Sequence, residues 1–121
     1  MDEPIDKIPN VLYKGQSIEI RQTLQFEKWL RDLRDRRARF RIADRLKRFA
    51  AGNAGDTKSV GENVQELRLA FGPGYRIYYI WRGNTLVLLL IGGDKDNQAR
   101  DIAKAKELAK EADDGFEDDA F

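Results

Sequence analysis

The chain has 121 residues, with 22 Lys and Arg against 21 Asp and Glu, and it contains neither cysteine nor histidine. That length holds one modest core, and the composition excludes disulfides and thiolate metal sites. It also removes the commonest transition-metal ligand and the commonest general base near neutral pH, so catalysis would fall to Arg, Lys, Tyr or carboxylates.

The near-neutral total conceals a polarised chain. From Glu111 to Phe121 there are six acids and no base, which leaves 22 bases against 15 acids, a charge of +7, in residues 1–110. A basic body is a physical argument for a polyanionic partner. No apolar run approaches the roughly 20 residues that span a bilayer, and the acidic, proline-containing N-terminus does not read as a signal peptide. The expectation is a cytoplasmic protein with no membrane contact.

Residues 1–16 lack periodicity and hold two of the three prolines, which predicts an irregular arm. Ile18 and Ile20 alternate with charged neighbours, predicting a short strand over 17–22. Thr23 is placed to cap a helix whose Phe26, Trp29, Leu30 and Leu33 recur at helical spacing. A break near Asp35-Arg36-Arg37 separates it from a second amphipathic stretch marked by Ile42, Leu46, Phe49 and Ala50, which ends near Gly52-Asn53. Together these form a helical hairpin, followed by a loop from Asn53 to Asn63.

Three strands come next: Val64 to Phe71, Tyr75 to Arg82 and, after a two-residue turn at Gly83-Asn84, Thr85 to Ile91. A hairpin drawn around Gly72-Pro73-Gly74 sets Leu69 opposite Ile77 and Arg68 opposite Tyr78. Leu67, Leu69, Phe71, Tyr75, Ile77 and Tyr79 then share the face that receives the helical hairpin. On the third strand, the two-residue turn puts Leu86, Leu88 and Leu90 on that same face. A C-terminal helix from about Asn97 to Lys110 covers part of the other face through Ile102, Ala105 and Leu108 or Ala109. Residues 17–110 are the expected folded domain, and 111–121 an acidic disordered tail. The fold class is α+β: an N-terminal strand and helical hairpin packed on an antiparallel sheet, with a C-terminal helix.

Candidate chemistry gathers on the face opposite the helical hairpin. Arg68, Arg76 and Tyr78 share it, and two guanidiniums with a phenol suit a phosphodiester, because Arg offers a planar fork to phosphate oxygens. The strand direction brings the loop Gly92-Gly93-Asp94-Lys95 out near Gly72-Pro73-Gly74, so Lys95 emerges close to Arg76. From Arg31 to Arg48 nine bases stand against three acids, most simply a solvated helix surface and alternatively a dock for RNA phosphates.

Glu66-Leu67-Arg68, Gly72 to Tyr79 and Leu88 to Lys95, with Gln98, Asp101 and Ile102, resemble the RelE/ParE/HigB superfamily of type II toxins, and above all its phage-derived addiction module killer branch. The resemblance spans about 17–110. It implies a RelE-like fold, ribosome-dependent cleavage of mRNA and neutralisation by a cognate helix-turn-helix antitoxin in a hetero-oligomer. Tyr75-Arg76 matches the recurrent active-site arginine of that superfamily. Arg68 and Lys95 match basic positions of its members, while Ile102 stands where some carry a tyrosine. The implied reaction is a metal-independent transesterification that uses no cofactor, with Arg76, Arg68, Lys95 and Tyr78 as catalytic residues. Lys58, Glu66, Gln98, Arg45 and Arg48 are the expected RNA contacts, Lys58 and Glu66 also being candidates for proton transfer. Two other readings share the sequence features: a ParE-like inhibitor of DNA gyrase, and a non-catalytic module that binds antitoxin or nucleic acid.

Overall fold

The computed structural model describes residues 10–14 and 18–119. Its elements in chain order are β1 (Asn10–Lys14), β2 (Glu19–Gln22), α1 (Leu24–Arg31), α2 (Arg36–Ala50), β3 (Thr57–Gly61), β4 (Val64–Arg68), β5 (Tyr75–Arg82), β6 (Leu86–Asp94) and α3 (Gln98–Asp119), with a short 3-10 turn at Lys95–Asn97 between β6 and α3. Among the described residues the strands form one sheet in the order β1-β2-β6-β5-β4-β3. The sheet is mixed, because β2 runs parallel to β6 while the other neighbours pair antiparallel. The α+β class is as expected, but the sheet expected to be antiparallel is mixed, because the N-terminal strand β2 joins it alongside β6.

Local chemistry sets the helix starts. Thr23 caps α1 by accepting a hydrogen bond from the Phe26 amide at 3.1 Å, and its hydroxyl donates to the Leu90 carbonyl at 2.8 Å, which ties the helix start to β6. Asp35 caps α2 by accepting from the Arg37 and Ala38 amides, so the expected break is a true helix boundary. The hairpin packs Phe26, Ala38, Ile42, Leu46 and Phe49 onto Leu67, Ile77, Tyr79, Val87 and Leu89. On the opposite sheet face α3 packs Ala105, Leu108 and Ala109 onto Val64, Tyr78, Ile80, Leu88 and Leu90. Three layers result, with the sheet buried on both sides.

Four expectations are corrected. Part of the supposed irregular arm is strand β1, paired with β2; the rest of that arm, 1–9 and 15–17, lies outside the described residues. The expected loop 53–63 contains β3, which pairs with β4 as the opposite edge of the sheet. Arg82 pairs with Leu86, so the turn holds Gly83-Asn84-Thr85 and is one residue longer than expected. A slip of one residue flips every side chain to the other face, so Val87 and Leu89 face the hairpin while Leu88 and Leu90 face α3. Finally, α3 continues past Lys110 into the acidic segment, with Ala112 packed beside the α3 core and Asp113 paired with Arg82. Residues 120 and 121 of that segment lie outside the described residues.

Candidate functional site

The hairpin of β4 and β5 brings the site together. Arg68 pairs with Arg76 and Glu66 with Tyr78, a register two residues from the expected one. Because a two-residue shift preserves the faces, Arg68, Arg76 and Tyr78 still share one side, with Glu66 added directly opposite the phenol. The connecting loop 69–74 folds back through a Gly74 amide bond to the Phe71 carbonyl at 3.0 Å, and both Gly72 and Gly74 have positive φ. A Cβ at Gly74 would come within 3.1 Å of the Lys95 Cβ and 3.5 Å of Arg76 Nη1. The bare glycine backbone is therefore what lets Lys95 and Arg76 converge.

Beyond a bulge between Tyr78 and Tyr79, Gly93 faces Arg76. Asp94 then caps the 3-10 turn by accepting from the Asp96 amide and the Asn97 side chain, which fixes where Lys95 leaves the sheet. The result is an open pocket of about 530 Å³ lined by Arg68, Arg76, Lys95 and the Gly72-Pro73-Gly74 tip, with the acids Asp56 and Asp96 also in its wall.

Beneath the pocket lies a buried carboxylate. Glu66 is 1% exposed; its Oε2 accepts from Tyr78 Oη at 2.9 Å and from Gln98 Nε2 at 2.8 Å. Its Oε1 lies 3.8 Å from Arg68 Nε and 3.9 Å from Arg76 Nε. Like charges placed directly opposite across two strands repel. Glu66 sits between the two guanidiniums and offsets that repulsion. Arg76 is 9% exposed and donates through Nη1 to the carbonyls of Gly74 and Tyr75, whereas its buried Nε has no hydrogen-bond partner. Arg68 is half-buried, with Asp56 Oδ2 3.9 Å from its Nε.

These positions sort the expected site residues. Arg76, Arg68 and Lys95 line the pocket. Tyr78 is fully buried under α3, and burial, then its bond to the Glu66 carboxylate, raises its pKa, so it stays a donor at neutral pH. Gln98 and Glu66, the expected RNA contacts, bond to each other, Gln98 half-buried and Glu66 fully buried. Lys58 is exposed on β3, in register with Glu66. Arg45 turns its guanidinium onto the carbonyls of Ala54, Asp56 and Arg68 at 2.8–3.0 Å, clamping the incoming loop to the end of β4. Burial lowers the Arg45 pKa, with Arg48 adding to the effect. Arg48 is exposed on α2 and pairs with Asp44.

Asp101 is the residue to which the sequence assigned no role. It is 5% exposed, Oδ2 has no hydrogen-bond partner, and it lies so close over Gly93 that a Cβ there would collide with it. Burial raises its pKa, opposed by Arg100. The signal available beforehand was an acid one turn into a helix beside a Gly-Gly pair.

A mixed sheet covered by a helical hairpin and a C-terminal helix, with a basic pocket at a strand end, is a RelE-like α+β architecture. The model of the family described as phage derived protein Gp49-like (DUF891) matches residues 28–112, and the chain belongs to that family, which is of the toxin-antitoxin, addiction-module-killer type. A protein of Haemophilus influenzae named only as uncharacterized is 47% identical over 95 residues, covering 78% of this chain and 96% of that protein. No solved structure matches the chain. Among the described residues no helix is long and apolar enough to cross a membrane.

Proposed function

We propose that this chain is the toxin of a type II pair of the RelE/HigB kind and cleaves mRNA on translating ribosomes. The observation that carries the reading is the convergence of Arg68, Arg76 and Lys95 on one open pocket, with Glu66 holding the two guanidiniums from beneath. The reaction is an internal transesterification. The RNA 2′-oxygen bonds to the adjacent phosphorus, the bond from phosphorus to the 5′-oxygen breaks, and a 2′,3′-cyclic phosphate and a 5′-hydroxyl result. Arg76 and Arg68 stabilise the pentacoordinate oxyanion, a role worth roughly 3 kcal/mol for a well-placed donor. Lys95, on the pocket wall, protonates the departing 5′-oxygen, while the 2′-hydroxyl proton passes to water. The ribosome orients the message, and a cognate helix-turn-helix antitoxin covers the toxin when growth resumes.

The test is a reconstituted translation system with end-group mapping of the cut message. Fragments ending in 2′,3′-cyclic phosphate, formed at undiminished rate with transition metals chelated and ribosomal magnesium maintained, are the expected result. Ends bearing 5′-phosphate reject the scheme, and gyrase-dependent DNA breaks without cut message transfer the chain to the ParE-like reading.

A further inference from the structure

The loop 69–74 has a second side. Across Leu69, Ala70 and Phe71 from the arginine pocket lies a second open groove of about 500 Å³, whose wall is completed by Phe40, Arg41 and Arg48 of α2. The two cavities share those three residues as a common ridge, on the order of 10 Å across. Phe40 is 77% exposed, and the Arg41 guanidinium lies over the Phe71 ring at 4.9 Å from its centroid.

This platform is fixed from below. Phe71 packs on Tyr75 at 5.6 Å between centroids, Tyr75 meets Trp29 edge-on at 6.2 Å, and Trp29 leans on the buried Phe26 at 5.6 Å. A chain of rings thus runs from the hydrophobic core to the groove floor, and the Arg41 guanidinium lies over its last member. The acid in the groove, Asp44, is paired with Arg48 at 3.1 Å, so the local charge remains positive.

Flat aromatic and guanidinium surfaces beside further cationic side chains are the chemistry that binds single-stranded nucleic acid, through base stacking and phosphate contact. We propose that this groove is a second nucleotide subsite. An RNA strand whose phosphodiester lies among Arg68, Arg76 and Lys95 continues over the ridge and stacks a neighbouring base against Phe40 and the Arg41–Phe71 pair. The inference rests on the nuclease reading and extends it, because it gives the enzyme a contact with a base outside the scissile step.

The experiment uses uncleavable 2′-O-methyl RNA of two and of six nucleotides, titrated into the full-length protein and followed by NMR and fluorescence anisotropy. Phe40→Ala, an exposed change checked for folding by circular dichroism, should weaken the hexamer about tenfold and leave the dinucleotide and the salt dependence unchanged. Arg41→Ala should weaken the hexamer and reduce the salt slope by about one counterion. Equal hexamer affinity in wild type and Phe40→Ala overturns the subsite while leaving the nuclease reading intact. Equal losses for dinucleotide and hexamer overturn it too. Loss of antitoxin neutralisation with RNA binding unchanged assigns Phe40 to the protein partner instead. Failure of the wild-type protein to bind either RNA, with no cleavage on ribosomes, removes both readings together.

Discussion

Arg76 and Arg68 look equivalent in the sequence and differ in their surroundings. Arg76 is sunk against the Gly74 and Tyr75 carbonyls with Glu66 behind it, whereas Arg68 reaches toward solvent. A fork held from several sides loses little entropy on binding phosphate, which makes Arg76 the more exacting position. Arg76→Ala should abolish growth arrest and lower cleavage at least a hundredfold in a folded protein, with lysine restoring little because it lacks the planar fork. Full toxicity of a stable Arg76→Ala variant would remove this residue from the mechanism. Asp101 invites a different measurement. Burial raises its pKa above the ordinary 3.8, so the folded protein binds this proton more tightly than the unfolded chain. Stability from this group is therefore complete below about pH 3.8, is lost as pH rises through the folded pKa and stays lost above it. Asp101→Asn, which cannot ionise, should be more stable than wild type near neutral pH, and the advantage should shrink as pH falls. Melting temperatures of both proteins across pH 3–8 check this; a constant difference contradicts it.

At the scale of elements, the sheet positions the site through its glycines. Gly92 faces the hairpin and its missing Cβ leaves room for the Trp29 ring, while Gly93 faces α3 and leaves room for Asp101. Two consecutive glycines thus let β6 pass between two layers that both press on it. Gly92→Ala should destabilise the protein by about 1–3 kcal/mol, because the indole is wedged between Phe26 and Tyr75 and has nowhere to retreat. A thermal shift of several degrees is expected, against a smaller one for Gly83→Ala, where nothing stands within 4 Å and only the positive φ is strained. Equal shifts for the two variants would mean that the Trp29 contact does not control the packing. The Gly-Gly pair was legible as part of the loop that carries Lys95 toward Arg76. Its two opposed packing duties were not, since they depend on which residues α1 and α3 bring to the two faces.

At the scale of the whole molecule, charge is distributed along α3. The helix begins at Gln98 beside Glu66 and reaches Asp113 beside Arg82. Arg82 is six positions along β5 from Arg76, about 20 Å away. The acidic segment therefore leaves from the end of the sheet remote from the arginine pocket, which argues against its lying over Arg68, Arg76 and Lys95. Deleting 111–121 removes six acids, so RNA binding should strengthen at low ionic strength and the gain should fade toward 0.15 M salt, where the screening length is about 8 Å. A peptide of 111–121 added in trans at mM concentration should leave the NMR signals of the pocket unmoved. Shifts confined to Arg68, Arg76 and Lys95 would instead reveal direct masking.

Periodicity and turn chemistry by themselves determined the α+β class, the Thr23 cap, the break before the second helix, the hairpin core and the shared face of Arg68, Arg76 and Tyr78, because each is written in local spacing that tertiary contacts reinforce. What they could not determine was register on Leu86 to Leu90, where every position is apolar and either face can be buried. The strands at Asn10–Lys14 and Thr57–Gly61 were equally hidden, since edge strands draw their order from pairing partners rather than from their own alternation. Only the tertiary structure paired the buried Glu66 with Tyr78 and Gln98 and set Arg45 on backbone carbonyls: α3 brings Gln98 to the carboxylate and the loop after α2 brings Arg45 its acceptors, and a buried polar group left unpaired costs more than an exposed one gains.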